Sequence, residues 1–67
     1  MTVAVELSPR EAQIAALVAR GLTNHEIAEQ LVLSRHTVHR HVANIRLKLG
    51  RGTRTAAVAE AARLGLL

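Results

Sequence analysis

The sequence contains no cysteine, phenylalanine, tyrosine or tryptophan. Disulfide bonds and thiolate metal sites are therefore excluded as sources of stability. A chain of 67 residues makes one small domain, which buries only about 60% of its unfolded surface. Its core has to be built from leucine, isoleucine, valine and alanine, and this composition favours small helices packed closely together.

Signals for a membrane segment and for catalysis are also missing. The longest uninterrupted apolar run, Ile14 to Ala19, is too short to span a bilayer, and the N-terminus lacks the features of a signal peptide. We therefore expect a cytoplasmic protein with no membrane partner. The sequence has no aspartate and no phosphate-binding glycine loop, so we expect neither an enzyme nor a cofactor. His36 and His39 have no third metal ligand at a suitable spacing.

Acidic residues are absent between Glu29 and Glu60, and positive charge is concentrated in this gap. The stretch from Arg35 to Arg54 holds six of the nine basic residues and three of the four histidines. With a formal net charge of +4, a one-sided positive field of this kind attracts a polyanion. The charge pattern indicates nucleic acid or an acidic protein surface as the partner.

Four helices are predicted, each with its own start signal. The first opens with a capping box of Ser8 and Glu11 and stops at Gly21. The second opens with a box of Thr23 and Glu26 and is about two turns long. Apolar residues recur at helical spacing in both segments. We therefore expect an all-α fold.

The third helix is expected from Arg35 to Leu49, with Ser34 as its cap. Its apolar residues, which fall within roughly 40° of each other at about 100° per residue, are Val38, Val42, Ile45 and Leu49. The fourth helix is expected to start near Thr53 or Arg54 and to end at Gly65. It is unusually rich in alanine, the residue with the best helix propensity.

The turn between the second and third helices, Val32-Leu33-Ser34, is very short and forces a sharp crossing. This is the helix-turn-helix arrangement, in which the second helix of the pair enters the major groove of DNA. Arg40 can form a bidentate pair with guanine, and Ala43 is small enough for a thymine methyl. The residues predicted to face the bases are Arg35, His36, His39, Arg40 and Ala43.

Donors around this helix are predicted to bind the phosphate backbone. The N-termini of the second and third helices offer free N–H groups and positive dipole ends, and the basic side chains at the far end of the third helix and after it suit phosphates as well. The predicted phosphate contacts are Thr23, Asn24, Ser34, Thr37, Lys48, Arg51 and Arg54.

Four segments carry a family resemblance. They are LSPRE (7–11), GLTNHEIAEQL (21–31), LSRHTVHRHVANIRLKLG (33–50) and TRTAAV (53–58). With this spacing the sequence resembles the LuxR-type (GerE-like) DNA-binding domain, so we expect residues 1–67 to form one such domain. The resemblance implies binding of double-stranded promoter DNA, usually as a dimer. It also implies a position at the C-terminal end of a larger regulator, behind a sensory, receiver or ATPase domain.

The resemblance further implies a homodimer formed through the fourth helix. The residues expected at this contact are Ala56, Ala59, Glu60 and Arg63. Three places depart from the family pattern. His39 stands where a lysine is usual, Val32 stands where a glycine is common, and Arg51 stands where an apolar residue usually follows the glycine. A positive φ at Val32 would strain a β-branched residue.

Two other classes of protein also fit parts of this sequence. In one, the basic helix docks on an acidic protein partner. Measuring how DNA binding depends on salt distinguishes this class from a DNA-binding protein. A domain like region four of sigma factors would also bind DNA, but the sequence after Arg54 matches the LuxR pattern.

Overall fold

Four helices follow one another along the chain in the computed structural model, which describes residues 5–67. They are α1 (Pro9–Ala19), α2 (Asn24–Leu31), α3 (Arg35–Leu49) and α4 (Arg54–Arg63). Residues 1–4 of the predicted domain lie outside the described residues. No strand occurs between residues 5 and 67, and the all-α prediction is confirmed. The helix boundaries agree with the sequence-based ones to within about two residues.

Each helix begins at a side-chain cap. The hydroxyl of Ser8 accepts a hydrogen bond from the N–H of Glu11 at 3.1 Å, and Glu11 Oε1 accepts one from the N–H of Ser8 at 2.8 Å. The same reciprocal box joins Thr23 and Glu26 at 3.2 and 2.8 Å. Single hydroxyl caps open α3 and α4. Such caps satisfy N–H groups that have no partner inside the helix, and each stabilises the fold by about 1 kcal/mol.

The core is centred on α3, which packs against all three other helices. Its predicted apolar stripe is buried, and Val38 is completely inaccessible to solvent. The buried residues that surround this stripe are Ile14, Ala15 and Leu17 of α1, Ile27 and Ala28 of α2, and Ala57, Val58 and Ala61 of α4. Because α4 contributes mainly alanine to this core, its backbone can approach its neighbours closely.

A charged contact joins the first turn of α1 to the last turn of α3. Lys48 Nζ donates to Glu11 Oε1 at 2.6 Å; the Glu11 side chain is 6% exposed and that of Lys48 is 42% exposed. Burial raises the pKa of the Glu11 carboxyl, but hydrogen bonds from Lys48 and Ser8 outweigh this effect and hold the pKa below its ordinary value. The carboxylate therefore caps α1 and anchors α3 with the same oxygen.

The turn between α2 and α3 places Val32 in the left-handed region, with φ 56° and ψ 50°. Residues other than glycine rarely adopt this backbone, because Cβ comes too close to the following carbonyl oxygen. The Val32 side chain is 91% exposed, so no burial of apolar surface compensates for the strain. The strain expected from the sequence at this position is therefore present.

Replacing Val32 by glycine should stabilise the domain. Val32→Gly relieves the left-handed strain and loses almost no buried surface, so we expect a gain of about 1 kcal/mol in the free energy of unfolding. For a domain of this size the midpoint of thermal unfolding should rise by about 4–8 °C, as measured by far-ultraviolet circular dichroism. Val32→Ala is the matched control, since it keeps a Cβ and should gain less. Equal effects of glycine and alanine would show that strain is not the cause.

Removing the cation beside Glu11 should destabilise the domain in a pH-dependent way. A carboxyl with a lowered folded-state pKa stabilises the fold above its unfolded pKa, and this contribution is lost as the pH falls. We expect Lys48→Met to lower the free energy of unfolding by roughly 1–2 kcal/mol at neutral pH. The difference from the parent should shrink below about pH 4.

The measurement is urea unfolding at several pH values, followed by circular dichroism. Arg10→Met is the matched control, because Arg10 is exposed and its one side-chain hydrogen bond within residues 5–67 goes to Gln13 on the same helix. This change should have an effect within about 0.5 kcal/mol. A loss at Lys48 that is no larger than the loss at Arg10, or one that does not vary with pH, would contradict the anchoring role.

Candidate nucleic-acid interface

The face of α3 opposite the buried stripe is open to solvent. Four of the five predicted base-facing residues are exposed, and Ala43 is half-buried. His36, Arg40 and Ala43 follow one another at spacings of four and three residues, so they form a row along the helix. Leu47 extends this row and is 80% exposed. The predicted base-facing side chains thus share one continuous surface on the second helix of the helix-turn-helix.

Arg35 and Arg40 carry positive charge that no carboxylate offsets. Neither arginine forms an ion pair within residues 5–67. The preceding acidic residue, Glu29 of α2, is paired with His25 at 2.7 Å. The N-terminal half of α3 therefore presents two free guanidinium groups on a surface without acidic side chains of its own.

The predicted phosphate contacts at the helix starts lie where α2 and α3 begin. Thr23 and Ser34 use their hydroxyl oxygens as helix caps. Ser34 Oγ also lies 2.8 Å from Thr37 Oγ1 in a hydrogen bond between the two side chains. These hydroxyls, together with the amide of Asn24, surround the positive dipole ends of the two helices.

The three basic residues predicted to contact phosphate at the end of α3 and after it already have partners within the protein. Lys48 binds Glu11, as described above. Arg51 Nη2 donates to Glu60 Oε2 at 3.0 Å. Arg54 donates to Asn24. The sequence predicted all three as phosphate contacts, and charge and spacing did not reveal the partner that each has inside the protein.

A cleft of about 270 Å³ separates α3 from the start of α4. The side chains that border it come from three helices: Asn24 of α2, His39, Val42, Ala43 and Arg46 of α3, and Arg54 of α4. Arg46 was not among the predicted site residues. Its Nη1 donates to the carbonyl oxygen of Gly52 at 3.3 Å, and its Nε is buried with no hydrogen-bond partner in the described chain. Its spacing of seven residues from His39 could have indicated this shared face.

The predicted dimer residues are neighbours on α4 at spacings of three and four residues, and Ala59 among them also borders a groove beside α1. Ala56 and Ala59 are exposed. Glu60 is half-buried and accepts hydrogen bonds from Arg63 and Arg51, which lower the pKa of its carboxyl to about 2. The groove between α4 and α1 has a volume of about 270 Å³ and is lined by Val18, Ala19, Thr55, Val58, Ala59 and Ala62. The charged side chains of α4 are thus paired within the protein, whereas the side chains of α4 that border the groove are small and largely apolar.

No helix in residues 5–67 is long and apolar enough to cross a membrane. The same residues contain no group of three or more histidine, cysteine, aspartate or glutamate side chains that could hold a metal ion.

The four helices, with a sharp turn between α2 and α3 and an open basic face on α3, define a helix-turn-helix domain. This chain belongs to the luxR family of bacterial regulatory proteins, whose GerE model matches residues 5–61. The predicted family and fold are therefore confirmed. The family consists of DNA-binding transcription regulators, so the domain binds DNA and is not an enzyme.

Relatives and solved structures agree with this assignment. The chain is 42% identical over 66 residues to VjbR of Brucella abortus, a quorum sensing-dependent transcriptional regulator, covering 98% of this chain and 26% of VjbR. It superposes on the transcription factor GerE with a TM-score of 0.86 at 39% identity, covering 91% of each chain. It superposes on Escherichia coli SdiA with a TM-score of 0.89 at 36% identity, covering 98% of this chain and 28% of SdiA.

The chain is much shorter than most of these relatives. It spans 26% of VjbR and 7% of a Mycobacterium bovis helix-turn-helix regulator to which it is 42% identical over 59 residues. The matched GerE chain, by contrast, is covered to 91%. The similarity therefore concerns the DNA-binding domain that these proteins share.

Proposed function

We propose that α3 lies in the major groove of double-stranded DNA and reads base edges with its N-terminal half. The observation that carries this proposal is the pair of exposed arginines, Arg35 at the first turn of α3 and Arg40 opposite the buried stripe, neither of which forms an ion pair within residues 5–67. A helix of 15 residues is about 22 Å long at 1.5 Å per residue. The major groove is about 12 Å wide and admits an α-helix.

The proposed contacts follow from side-chain chemistry. Arg40 forms a bidentate pair with guanine O6 and N7. His36 and His39 donate to or accept from base edges, and half-buried Ala43 packs against a thymine methyl. Arg35, at the start of α3, contacts a base or the adjacent phosphate. Together these five residues form the proposed specificity surface.

Phosphate contacts are proposed chiefly at the starts of α2 and α3. Thr23, Asn24, Ser34 and Thr37 supply polar groups there, beside the positive ends of the two helix dipoles. Lys48 and Arg51 could reach a phosphate only by sharing or losing the carboxylates that they already bind. Their contribution to DNA affinity should therefore be smaller than that of the unpaired cations on α3.

Binding of duplex DNA should show the salt dependence of counterion release. We expect the logarithm of the affinity to fall linearly with the logarithm of salt concentration, with a slope of about −0.9 per phosphate neutralised. The measurement is fluorescence anisotropy of a labelled duplex. If the parent protein fails to bind at tens of micromolar in low salt, where nonspecific binding is expected, DNA binding by the isolated chain is refuted. Docking on an acidic protein would then be the better explanation.

Arg40 should control specificity more than general affinity. On a site selected from random DNA, Arg40→Ala should weaken binding by about 1–3 kcal/mol, whereas binding to unrelated DNA should change little. Arg10→Ala is the matched control, since it removes a cation from α1 and should not change the affinity for either DNA. Equal losses on both DNAs after Arg40→Ala would make Arg40 a phosphate contact and not a base contact.

We also propose that the domain acts as a homodimer through α4, at the C-terminal end of a longer cytoplasmic regulator with a sensory, receiver or ATPase domain. The small fraction of VjbR and SdiA that the domain covers supports the longer regulator. The apolar groove between α1 and α4 supports the dimer, because Ala59 and Ala62 allow a second helix to approach closely. Ala56, Glu60 and Arg63 then lie at the edge of the contact, since Glu60 is held by Arg51 and Arg63.

A charge placed in the groove should disrupt the dimer more than a charge placed at its edge. Ala59→Glu buries a carboxylate against apolar residues of the second copy, so two-domain complexes on DNA should be weakened at least tenfold. Ala56→Glu, on another exposed alanine of the same helix, should weaken them less. The measurement is the stoichiometry of DNA complexes by analytical ultracentrifugation. Equal effects of the two changes would refute the groove as the centre of the contact.

A further inference from the structure

Both ends of the Arg54 guanidinium fork donate to groups inside the protein, and the two acceptors belong to different residues. Nη1 donates to Asn24 Oδ1 at 2.5 Å, and Nη2 donates to the carbonyl oxygen of Leu22 at 3.0 Å. The two acceptors lie 30 and 32 residues away in the sequence. A single planar group therefore joins the start of α4 to the start of α2.

The chemistry of this contact fixes the orientation of the Asn24 amide. Arginine has hydrogen-bond donors and no acceptor, so the amide must turn its oxygen towards Arg54. The NH₂ group of Asn24 then faces away from the guanidinium. It donates to no acceptor within residues 5–67, and the side chain is only half-buried. The hydrogen bond from Arg54 thus orients the Asn24 amide so that its NH₂ group, a free donor, faces away from the guanidinium.

Asn24 lies next to the surface that we propose binds DNA. Asn24 borders the same cleft as His39 and Ala43, two of the proposed base-facing residues. It is also the first residue of α2, where the helix dipole adds partial positive charge. A phosphate that passes along this edge of α3 would meet the amide NH₂ group and the start of α2 together.

We propose that Arg54 is a positioning residue that orients the Asn24 amide towards a DNA phosphate and does not itself contact the DNA. This inference rests on the proposed placement of α3 in the major groove. It changes the role predicted for Arg54 from the sequence, because the guanidinium acts through a neighbour. Because the amide is already ordered before DNA binds, binding does not cost the conformational entropy of this side chain. This pre-ordering raises the affinity by up to about tenfold.

A double-mutant cycle on DNA affinity separates positioning from direct contact. Asn24→Ala removes the donor, and Arg54→Lys keeps the positive charge but cannot donate to both acceptors from a planar fork. We expect each single change to weaken binding by about 3- to 10-fold, the effect of one hydrogen bond. The double variant should bind no more weakly than Asn24→Ala alone, because Arg54 acts through Asn24.

The opposite result would overturn the inference. If the losses of the two single variants multiply in the double variant, Arg54 and Asn24 act independently. If Arg54→Lys binds as tightly as the parent, charge alone is sufficient and the fork has no positioning role. Circular dichroism of each free variant shows whether the fold is retained, and binding is compared only among folded variants.

A second measurement uses the parent protein and needs no substitution. The sequence has four side-chain amides, those of Gln13, Asn24, Gln30 and Asn44, so their NH₂ signals can be resolved by two-dimensional ¹⁵N NMR. On addition of duplex DNA we expect the Asn24 pair to shift and the Gln13 pair on α1 to stay in place. An Asn24 pair that does not move in a DNA-saturated sample would refute the inference, while α3 signals that do move would still support the proposed function.

Discussion

The burial of one face of α3 is the constraint on which the rest of the structure depends. Its apolar stripe packs on the other three helices at once. Fully burying each valine, isoleucine or leucine contributes about 1.5–3 kcal/mol, more than the roughly 1 kcal/mol of a helix cap. The stripe therefore sets the rotation of α3 about its axis, and this rotation turns Arg40 and the rest of its row outward. Core packing and presentation of the DNA-binding face are two consequences of one helical periodicity.

Electrostatics then divides the cations of this domain into two groups. Glu11 binds Lys48 and Glu60 binds Arg51, and each of these two ion pairs joins separate parts of the fold. Glu60 also binds Arg63 within α4. The N-terminal half of α3 has no such partners within the described residues, and its guanidinium groups stay free for a polyanion. A charge that is already paired inside a protein gains less from a phosphate than a free one does. The position of a few glutamates thus decides which basic residues are available for DNA.

Local signals in the sequence were sufficient for most of the fold. Capping boxes at Ser8 and Thr23, the hydroxyl cap at Ser34 and the glycine after Leu49 mark helix ends through contacts a few residues long. The strain at Val32 was also predictable, because the family that the sequence resembles commonly has glycine at this position and valine is β-branched. The set of phosphate contacts was less predictable from the sequence. Lys48, Arg51 and Arg54 resembled the other cations in sequence, since charge and spacing do not reveal a distant partner.

By itself the sequence determined the four helices, the buried stripe of α3 and the row of residues opposite to it, because helical periodicity and caps act between near neighbours. Only the tertiary structure decided that Lys48 binds Glu11 across 37 residues and that Arg54 holds Asn24 across 30. These contacts depend on how the packed helices bring their ends together in space. Hydrogen bonds and ion pairs form only over about 3 Å, a distance that the packing of all four helices sets jointly.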